Sequence, residues 1–423
     1  YFLEIKEISM GLLSLNVQKG DRIAIMSNTR WEWAAMDYGI LSIQGITVPI
    51  YQTVSAEDLA YTLNNCEAKI LIVENTSVLK IFKQVQKICP HINKIICIEG
   101  KHEETLSFHD LKQLGKKKEM DLSPVFENLL NSTSLDQPAT ILYTSGTTGL
   151  PKGVLLTHRQ IMSEISDVFP YMGTTSEDTS LSFLPYAHIM GRIEHWAHVY
   201  IGFTLAFAES IEKIKNNLSE IHPTFLIAVP RIFEKIHATV VAGMNANSMK
   251  SKIFKWALKT GIKASEYKMK REPLPFSLIP ELLLAKKLIL SKMKEVFGGK
   301  IRFCVSGGAP LSRDIALFFH ACDILILEGY GLTETTAAIC LNAPFDYRFG
   351  SVGKPLGDVQ IKTAEDGELL VKSAKVMKEY YKDPESTAAA FTDGWFHTGD
   401  IGEILPSGDV RITDRKKDLI KTA

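Results

Sequence analysis

A twelve-residue segment, YTSGTTGLPKGV at residues 143–154, brings together glycines, hydroxyl groups and a lysine. Glycines let the backbone approach an anion closely and direct N–H groups at it. The hydroxyl groups add donors, and the lysine adds a positive charge. The spacing Gly-x4-Gly-Lys-Ser/Thr of the Walker loop is absent. The segment predicts a phosphate-binding loop of another type, rather than an ordinary polar turn, formed by Thr144, Ser145, Gly146, Thr147, Thr148, Gly149 and Lys152.

Further candidate residues follow short apolar stretches later in the chain. The segments are FLPYAHIMGR (183–192), CVSGGAPLS (304–312), LEGYGLTETT (328–336), GWFHTGDIGEI (394–404) and ITDRKKDLIK (412–421). CVSGGAPLS and LEGYGLTETT each run from an apolar strand into a glycine turn. Ligands of α/β sheets bind where strands end, so these two segments are candidates for a binding site. Lys416 and Lys417 are most simply solvated charges.

The residue types in these segments suit a nucleotide and a metal ion. The aromatic face of Tyr330 suits a purine ring. The Asp400 carboxylate can accept two ribose hydroxyl protons. Glu334 could supply one of the few protein oxygens that Mg²⁺ takes beside phosphate and water. A lone histidine is more often a core residue, but the position of His188 after Leu-Pro favours a functional role.

In this order the segments resemble the signatures of the adenylate-forming superfamily, which includes acyl-CoA synthetases, luciferases and peptide-synthetase adenylation domains. The resemblance covers essentially the whole chain and implies a role for each candidate. It places Gly307, Gly308 and Ala309 beside the adenine edge, Tyr330 on the ring with Glu328 and Gly329 on its backbone side, Thr333 at the α-phosphate, Glu334 and Thr144 at Mg²⁺, Asp400 and Arg415 at the ribose, and His188 near the substrate carboxylate.

The sequence is also similar to one branch of that superfamily, the long-chain acyl-CoA synthetases. The similarity lies in His188 with Arg192, and in VPRIFEKI at 229–236. It implies ATP-dependent activation of a fatty acid to acyl-AMP, followed by thioester formation with CoA as co-substrate. ATP and Mg²⁺ are the implied cofactors. His188, Thr333, Glu334 and Lys152 are the implied catalytic residues.

Three alternatives remain open. The first is another adenylate-former, such as a fatty-acyl-AMP ligase or an aryl-CoA ligase, although the long-chain-like segments disfavour an aryl acid. The second is a regulatory protein with a dead site, which the presence of Thr144, Lys152, Glu334, Asp400 and Arg415 disfavours. The third is a membrane scaffold, which the same residues disfavour further.

The overall amino-acid composition limits the classes of molecule that this chain is expected to bind. The 48 basic and 48 acidic side chains balance, which gives no reason to expect nucleic-acid binding. The six cysteines have no Cys-x-x-Cys spacing and lie mostly in apolar runs, which favours reduced thiols in a cytoplasmic enzyme. The lysine-rich segment 248–271 is a candidate for peripheral membrane contact, although a solvated helical face is the more ordinary interpretation. Oligomeric state is not indicated.

The elements that must hold these residues alternate between strands and helices. β-branched runs at 21–27, 45–51 and 69–74 predict buried strands, separated by helical patterns such as SAEDLAYTLNNC at 55–66. After about residue 340, short strands punctuated by Gly, Pro and Asp predict an antiparallel module. The predicted fold is α/β, with two doubly wound subdomains plus a small distorted β-barrel.

The predicted domain boundaries follow the same texture. Residues 1–340 form the paired subdomains with the ATP and acyl sites, 341–413 form the barrel-like subdomain, and 414–423 form a hinge beginning at Asp414. By the resemblance, a small C-terminal domain that carries a catalytic lysine and part of the CoA site should follow. We therefore expect this sequence to be a piece of a longer protein.

Overall fold

The β-branched runs and amphipathic segments of the sequence form the expected alternation of strands and helices. A computed structural model describes residues 1–100, 102–144, 149–242 and 249–416. The chain divides into two compact units. The first comprises Tyr1–Ser163, Pro185–Arg192 and Ala374–Thr392, and the second comprises Glu164–Leu184, Ile193–Ser373 and Asp393–Ala423. The domain boundaries predicted from the sequence stay a prediction.

Helices occur throughout both units. They are α1 (Phe2–Ser14), α2 (Trp31–Ser42), α3 (Ala56–Cys66), α4 (Thr76–Val85), α5 (Phe108–Lys117), α6 (Glu119–Asn131), α7 (His158–Tyr171), α8 (Ile189–Ile201), α9 (Ile214–Ile221), α10 (Pro230–Ala242), α11 (Met249–Lys270), α12 (Leu278–Ala285), α13 (Ser291–Val296), α14 (Arg313–Ala321) and α15 (Pro384–Ala389).

The strands are mostly short. They are β1 (Arg22–Met26), β2 (Ile46–Ile50), β3 (Ile70–Val73), β4 (Lys94–Cys97), β5 (Leu106–Ser107), β6 (Pro138–Thr144), β7 (Lys152–Thr157), β8 (Thr179–Ser182), β9 (Thr204–Phe207), β10 (Phe225–Ala228), β11 (Phe303–Ser306), β12 (Leu325–Leu332), β13 (Ala337–Leu341), β14 (Lys354–Pro355), β15 (Gln360–Thr363), β16 (Glu368–Lys372), β17 (Glu379–Tyr380), β18 (Phe391–Thr392), β19 (Trp395–Ile404) and β20 (Val410–Arg415).

The first unit is built on an eight-stranded sheet in the order β17-β7-β6-β2-β1-β3-β4-β5. Strands β1 to β6 pair in parallel, and β7 and β17 add an antiparallel edge. β3 is buried along its whole length, which explains why its sequence is an unbroken apolar run. Helix α3 begins as its sequence predicts, because the Ser55 side chain accepts a hydrogen bond from the backbone N–H of Asp58 at 3.0 Å.

The second unit is built on a seven-stranded sheet in the order β14-β13-β12-β11-β10-β8-β9. Strands β8 to β12 are parallel to one another. β13 is antiparallel to β12, and β14 is antiparallel to β13. The order β9-β8-β10-β11-β12 repeats the order β2-β1-β3-β4-β5 of the first sheet, so both sheets follow one doubly wound pattern.

A smaller antiparallel sheet completes the second unit, with its strands there in the order β15-β16-β19-β20. The pairing shifts register between Glu368 and Leu370 and again between Ile401 and Gly402. Such irregularities bend a sheet and increase its twist, which gives this one a curled, half-barrel form. The predicted fold class is confirmed.

Candidate functional site

The end of β12 carries the aromatic candidate of the second unit. A Cβ at Gly331 would lie 1.3 Å from the backbone oxygen of Ala337, so only glycine fits this close crossing of β12 and β13. The register shift between Tyr330 and Gly331 falls at the same place. The Tyr330 hydroxyl donates a hydrogen bond of 2.7 Å to Oδ2 of Asp400. Burial raises the pKa of Tyr330 well above its usual value, so the phenol stays a donor.

Asp400 and Arg415 face each other across β19 and β20. Arg415 Nε lies 3.3 Å from Asp400 Oδ1, and the side chains are 63% and 5% exposed respectively. The sheet register therefore holds the carboxylate inside while the guanidinium reaches into solvent. Tyr330, Asp400 and Arg415 form one cluster in the second unit, held by a hydrogen bond and an ion pair to Asp400.

Two polar side chains stand side by side at the end of β11 and in the middle of β12. Ser306 pairs with Glu328 in the register of these parallel strands, and both residues are buried. The Ser306 hydroxyl and the Glu328 Oε1 atom have no hydrogen-bond partner among the residues that the structure describes. Burial raises the pKa of Glu328 to about 7. Buried polar groups normally have partners, so this edge is a candidate for ligand contact, and Ser306 was missed by the sequence analysis.

The glycine turn after β11 lies beside the same edge. Gly308 has φ +79 and open space where a Cβ would be, and Ala309 is exposed. The Gly307 N–H donates to the Ala228 oxygen at 3.4 Å. Further along this turn, the Leu311 N–H donates to Glu328 Oε2 at 3.4 Å. The structure thus connects the two segments that the resemblance assigned to the adenine.

Thr333 and Glu334 lie in a short 3-10 turn, Thr333–Thr335, directly after β12. Both side chains are partly exposed. The Thr335 hydroxyl accepts from the Leu332 N–H at 2.8 Å, which fixes the turn. Gly329 precedes the cluster on β12, where a Cβ would meet Leu341 Cδ1 at 3.0 Å.

A buried carboxylate that sequence analysis missed supports the strand beside Asp400. The side chain of Glu368 is 4% exposed and lies 2.8 Å from Lys416 Nζ and 3.0 Å from His397 Nδ1. Its Oε1 accepts from the Gly399 N–H at 2.9 Å. Burial by itself raises the pKa of Glu368, but these hydrogen bonds outweigh it and lower the pKa. Lys416, which looked like a solvated charge in the sequence, therefore anchors the end of β20, the strand that carries Arg415.

In the first unit, β6 and β7 form the hairpin that carries the phosphate-loop candidates. Thr144 and Lys152 are paired at the end of the hairpin that leads into the connecting loop, and the Thr144 hydroxyl lies 3.5 Å from the Lys152 oxygen. Lys152 Nζ lies 5.3 Å from the centre of the Tyr380 ring. Gly149 has φ +131, which favours glycine. Ser145, Gly146, Thr147 and Thr148 lie outside the described residues.

His188 occupies the turn before α8, where its N–H donates to the Pro185 oxygen at 2.9 Å. The imidazole stands edge-on to the Tyr51 ring, with 5.4 Å between ring centres. Burial lowers the pKa of His188, so the ring is neutral at pH 7. The structure thus places His188 within the first unit, directly before a helix, and its functional role stays a prediction.

A fully buried ion pair stands one helical turn after His188. Arg192 donates to both carboxylate oxygens of Asp37 at 2.8 and 3.0 Å, and both side chains are 0% exposed. The guanidinium also lies 4.9 Å from the Trp33 ring and 3.3 Å from the Thr140 hydroxyl on β6. Since the Arg192 N–H donates to the His188 oxygen at 3.2 Å, this pair fixes the turn that carries His188. The sequence analysis noted Arg192 but gave no sign of Asp37.

Two doubly wound sheets with polar side chains at their strand ends are typical of α/β proteins that bind ligands at that edge. The model of the AMP-binding enzyme family matches residues 2–381, and the chain belongs to this family. It is accordingly an adenylate-forming acid–thiol ligase.

Named relatives agree with this assignment. The chain is 36% identical over 422 residues to the long-chain-fatty-acid–CoA ligase FadD15 of Mycobacterium bovis, covering 99% of this chain and 69% of the relative. It is 30% identical over 451 residues to the human long-chain-fatty-acid–CoA ligase 1, covering 100% of this chain and 63% of that protein. The chain therefore spans about two thirds of the length of these relatives.

The fold is shared with solved structures. The inhibitor-bound N-terminal domain of FACL13 from Mycobacterium tuberculosis matches with a TM-score of 0.70 at 22% identity, over 98% of this chain and 91% of that one. An anthranilate CoA ligase in complex with anthranoyl-AMP matches with a TM-score of 0.72 at 20% identity, over 99% of this chain and 72% of that one. At this identity the likeness shows the fold alone.

Proposed function

We propose that this chain activates a long-chain fatty acid with ATP, and that the acyl group then passes to CoA. The observation that carries the proposal is the Tyr330–Asp400–Arg415 cluster, in a chain with 36% identity to a long-chain-fatty-acid–CoA ligase. A buried carboxylate with a phenol and a guanidinium suits a nucleoside, because it offers acceptors for ribose hydroxyls and an aromatic face for the base.

In the first step, a carboxylate oxygen of the acid attacks the α-phosphorus of ATP. The carboxylate oxygen–phosphorus bond of a mixed anhydride, acyl-AMP, forms, the bond from the α-phosphorus to the oxygen that bridges to the β-phosphate breaks, and pyrophosphate leaves with the electron pair. By their match to the family's signatures, we assign the phosphates to Thr144, Lys152 and Thr333, together with Ser145, Gly146, Thr147, Thr148 and Gly149. Their contribution is positioning and charge stabilisation.

His188 is the residue that we assign to the acid substrate. Its neutral imidazole can donate a hydrogen bond to the incoming carboxylate without forming a persistent ion pair that would weaken the nucleophile. The buried Arg192–Asp37 pair holds the turn below it. The adenine is assigned to Gly307, Gly308, Ala309, Glu328 and Gly329, with the Tyr330 ring.

The metal assignment rests on the donor set. Among the described residues there is no group of three His, Cys, Asp or Glu side chains that could hold a metal ion. A Mg²⁺ ion would therefore depend on phosphate oxygens for most of its ligands, which is its usual preference, with Glu334 and Thr144 as the protein oxygens. When bound, Mg²⁺ neutralises charge that develops on the phosphates.

In the second step, the CoA thiolate attacks the acyl carbon, a thioester bond forms, and AMP leaves as the acyl–phosphate bond breaks. CoA is the proposed acceptor because the relatives are named as CoA ligases. A fatty-acyl-AMP ligase would stop after the first step.

The test is an activity series on a protein that contains this chain, with acids from acetate to oleate. We expect ATP–pyrophosphate exchange that depends on the acid and is strongest with long chains, and thioester formation when CoA is added. Strongest exchange with an aromatic acid would replace the long-chain assignment. Acyl-AMP release without CoA consumption would favour the acyl-AMP ligase. Absence of exchange with every acid, in a protein that still binds ATP, would favour a regulatory role.

A further inference from the structure

The outer face of α12 and of the π-helical turn that follows it is strongly apolar. Phe276, just before the helix, is 91% exposed, and Leu283 and Leu284 are 62% and 51% exposed. Ile279 and Leu288 extend the same face at 37% and 39%. Single exposed apolar side chains are ordinary, but these recur at helical spacing and form a stripe. We call these five residues the α12 stripe.

The helix is held in this orientation by its other face. Leu278, Leu282 and Ala285 are buried beneath it. The Glu281 carboxylate accepts hydrogen bonds from Trp256 Nε1 at 2.8 Å and from the Thr260 hydroxyl at 2.9 Å, both on α11. Since these contacts fix the rotation of α12, the stripe cannot turn inward without breaking them.

The charge around the stripe is one-sided. Residues 249–296 contain twelve basic side chains and four acidic ones in a chain whose formal net charge is zero. Lys268, Lys286 and Arg271 form ion pairs with Asp323 or Asp346 outside this range, and the other basic side chains still outnumber the acidic ones. Lys287 and Lys292 are exposed within the same helical stretch as the stripe. A partner that fits this surface therefore has an apolar interior to receive the stripe and a negatively charged surface to face the lysines.

The structure also separates the charges of the lysine-rich segment from its apolar residues. On α11, Phe254 and Ala257 are buried, and Trp256 is turned towards Glu281. Lys252, Lys255 and other lysines of this helix are exposed. α11 thus offers mainly charge, with Met249 at its first position 72% exposed, whereas the apolar stripe lies on α12.

We propose that the α12 stripe, with its flanking lysines, docks on the surface of an anionic lipid bilayer. An amphipathic helix of this kind lies in the interfacial plane, with apolar side chains among the acyl chains and lysines at the head groups. None of the described helices is long and apolar enough to cross a membrane. The inference does not rest on the proposed function.

The test is co-sedimentation of the chain with vesicles of equimolar phosphatidylserine and phosphatidylcholine, and with vesicles of phosphatidylcholine alone. We expect binding to the first, weakened by added salt, and much less to the second. Leu283→Glu with Leu284→Glu should weaken binding roughly tenfold or more, because apolar burial is lost while the exposed positions keep the fold intact. Met120→Glu on α6, at a residue 92% exposed, is the matched control and should bind as the unmodified chain does.

A second variant keeps the test decisive if the leucine variant fails to fold. Lys287→Glu with Lys292→Glu leaves the stripe intact and should weaken binding to the anionic vesicles roughly tenfold or more. The proposal is overturned if the unmodified chain does not sediment with anionic vesicles at low salt, or if a folded stripe variant binds unchanged. It is also overturned if the stripe instead joins two copies of the chain, seen as a dimer that the leucine variant dissociates and no vesicle binding.

Discussion

The two units each contain an arginine–aspartate pair, and the pairs differ in almost every physical respect. Arg192 and Asp37 are both 0% exposed and share two hydrogen bonds. Arg415 is 63% exposed, and its Nε lies 3.3 Å from the buried Asp400. The first pair joins α8 to α2, and the second joins two adjacent strands of the curled sheet.

The difference indicates two uses of the same residue types. A buried pair must keep both partners, because removing one leaves an uncompensated charge away from water. A pair with one partner in solvent can lose that contact at little cost, so its arginine is available to a ligand. We therefore expect the first pair to control stability and the second to control nucleotide affinity.

The largest expected change in stability comes from removing one partner of the buried pair. Arg192→Met should lower the free energy of unfolding by about 3–5 kcal/mol, because Asp37 is left charged in the core. Urea denaturation measures the change. Arg192→Met combined with Asp37→Leu should recover part of the loss, since both charges are then removed. A loss below about 1 kcal/mol in the single variant would show that this pair is no more structural than the exposed one.

Glu194 is a buried carboxylate that has no arginine partner among the described residues, so it can be compared with the buried Asp37. Glu194 on α8 accepts hydrogen bonds from Ser180 and Ser182, and burial raises its pKa from 4.5 to about 7. The folded state therefore binds its proton more tightly than the unfolded state. The resulting stability is present at low pH and is lost as the pH rises through about 7.

Glu194→Gln should remove this pH dependence, which amounts to about 3 kcal/mol at most across the interval. Thermal or urea unfolding at pH 5 and at pH 8 measures it. Glu220→Gln, at an exposed position on α9, is the control and should leave the pH profile unchanged. Equal pH profiles for the unmodified chain and the Glu194 variant would mean that serine hydroxyls alone keep this carboxylate ionised.

The second pair is tested by nucleotide binding. Asp400→Ala should weaken ATP binding by about 1–3 kcal/mol, because ribose hydroxyls, Tyr330 and Arg415 lose a common acceptor. Calorimetry of the chain measures the affinity. Glu403→Ala on the same strand β19, 51% exposed and paired with Arg411, serves as the control. Equal ATP affinity in the Asp400 variant and the unmodified chain would remove this residue from the site.

The smallest expected effect is on stability at Arg415. Arg415→Met should change the free energy of unfolding by about 0–1 kcal/mol, the usual value for an exposed ion pair. The same variant should bind AMP more weakly, because a donor to the ribose is lost. A stability loss as large as that of Arg192→Met would contradict the division between the two pairs.

Much of the fold followed from local patterns. The runs at 21–27, 45–51 and 69–74 form β1, β2 and β3, because β-branched apolar residues bounded by polar ones suit buried strands. Ser55 caps α3 through a contact three residues away, which a sequence can show directly. Ser306 and Asp37 gave no local signal, because their importance comes from strands and helices that are distant in sequence.

The sequence by itself determined the family, the alternation of strands and helices, and the types of residue available for phosphate, ribose and base, since glycine turns and strand periods depend on neighbours along the chain. Tertiary structure decided which of them meet. Tyr330 reaches Asp400 across seventy positions, Arg192 finds Asp37 across 155, and Lys416 pairs with Glu368 across 48. Such pairs depend on sheet register and helix packing, and burial then sets whether each charge is structural or open to a ligand.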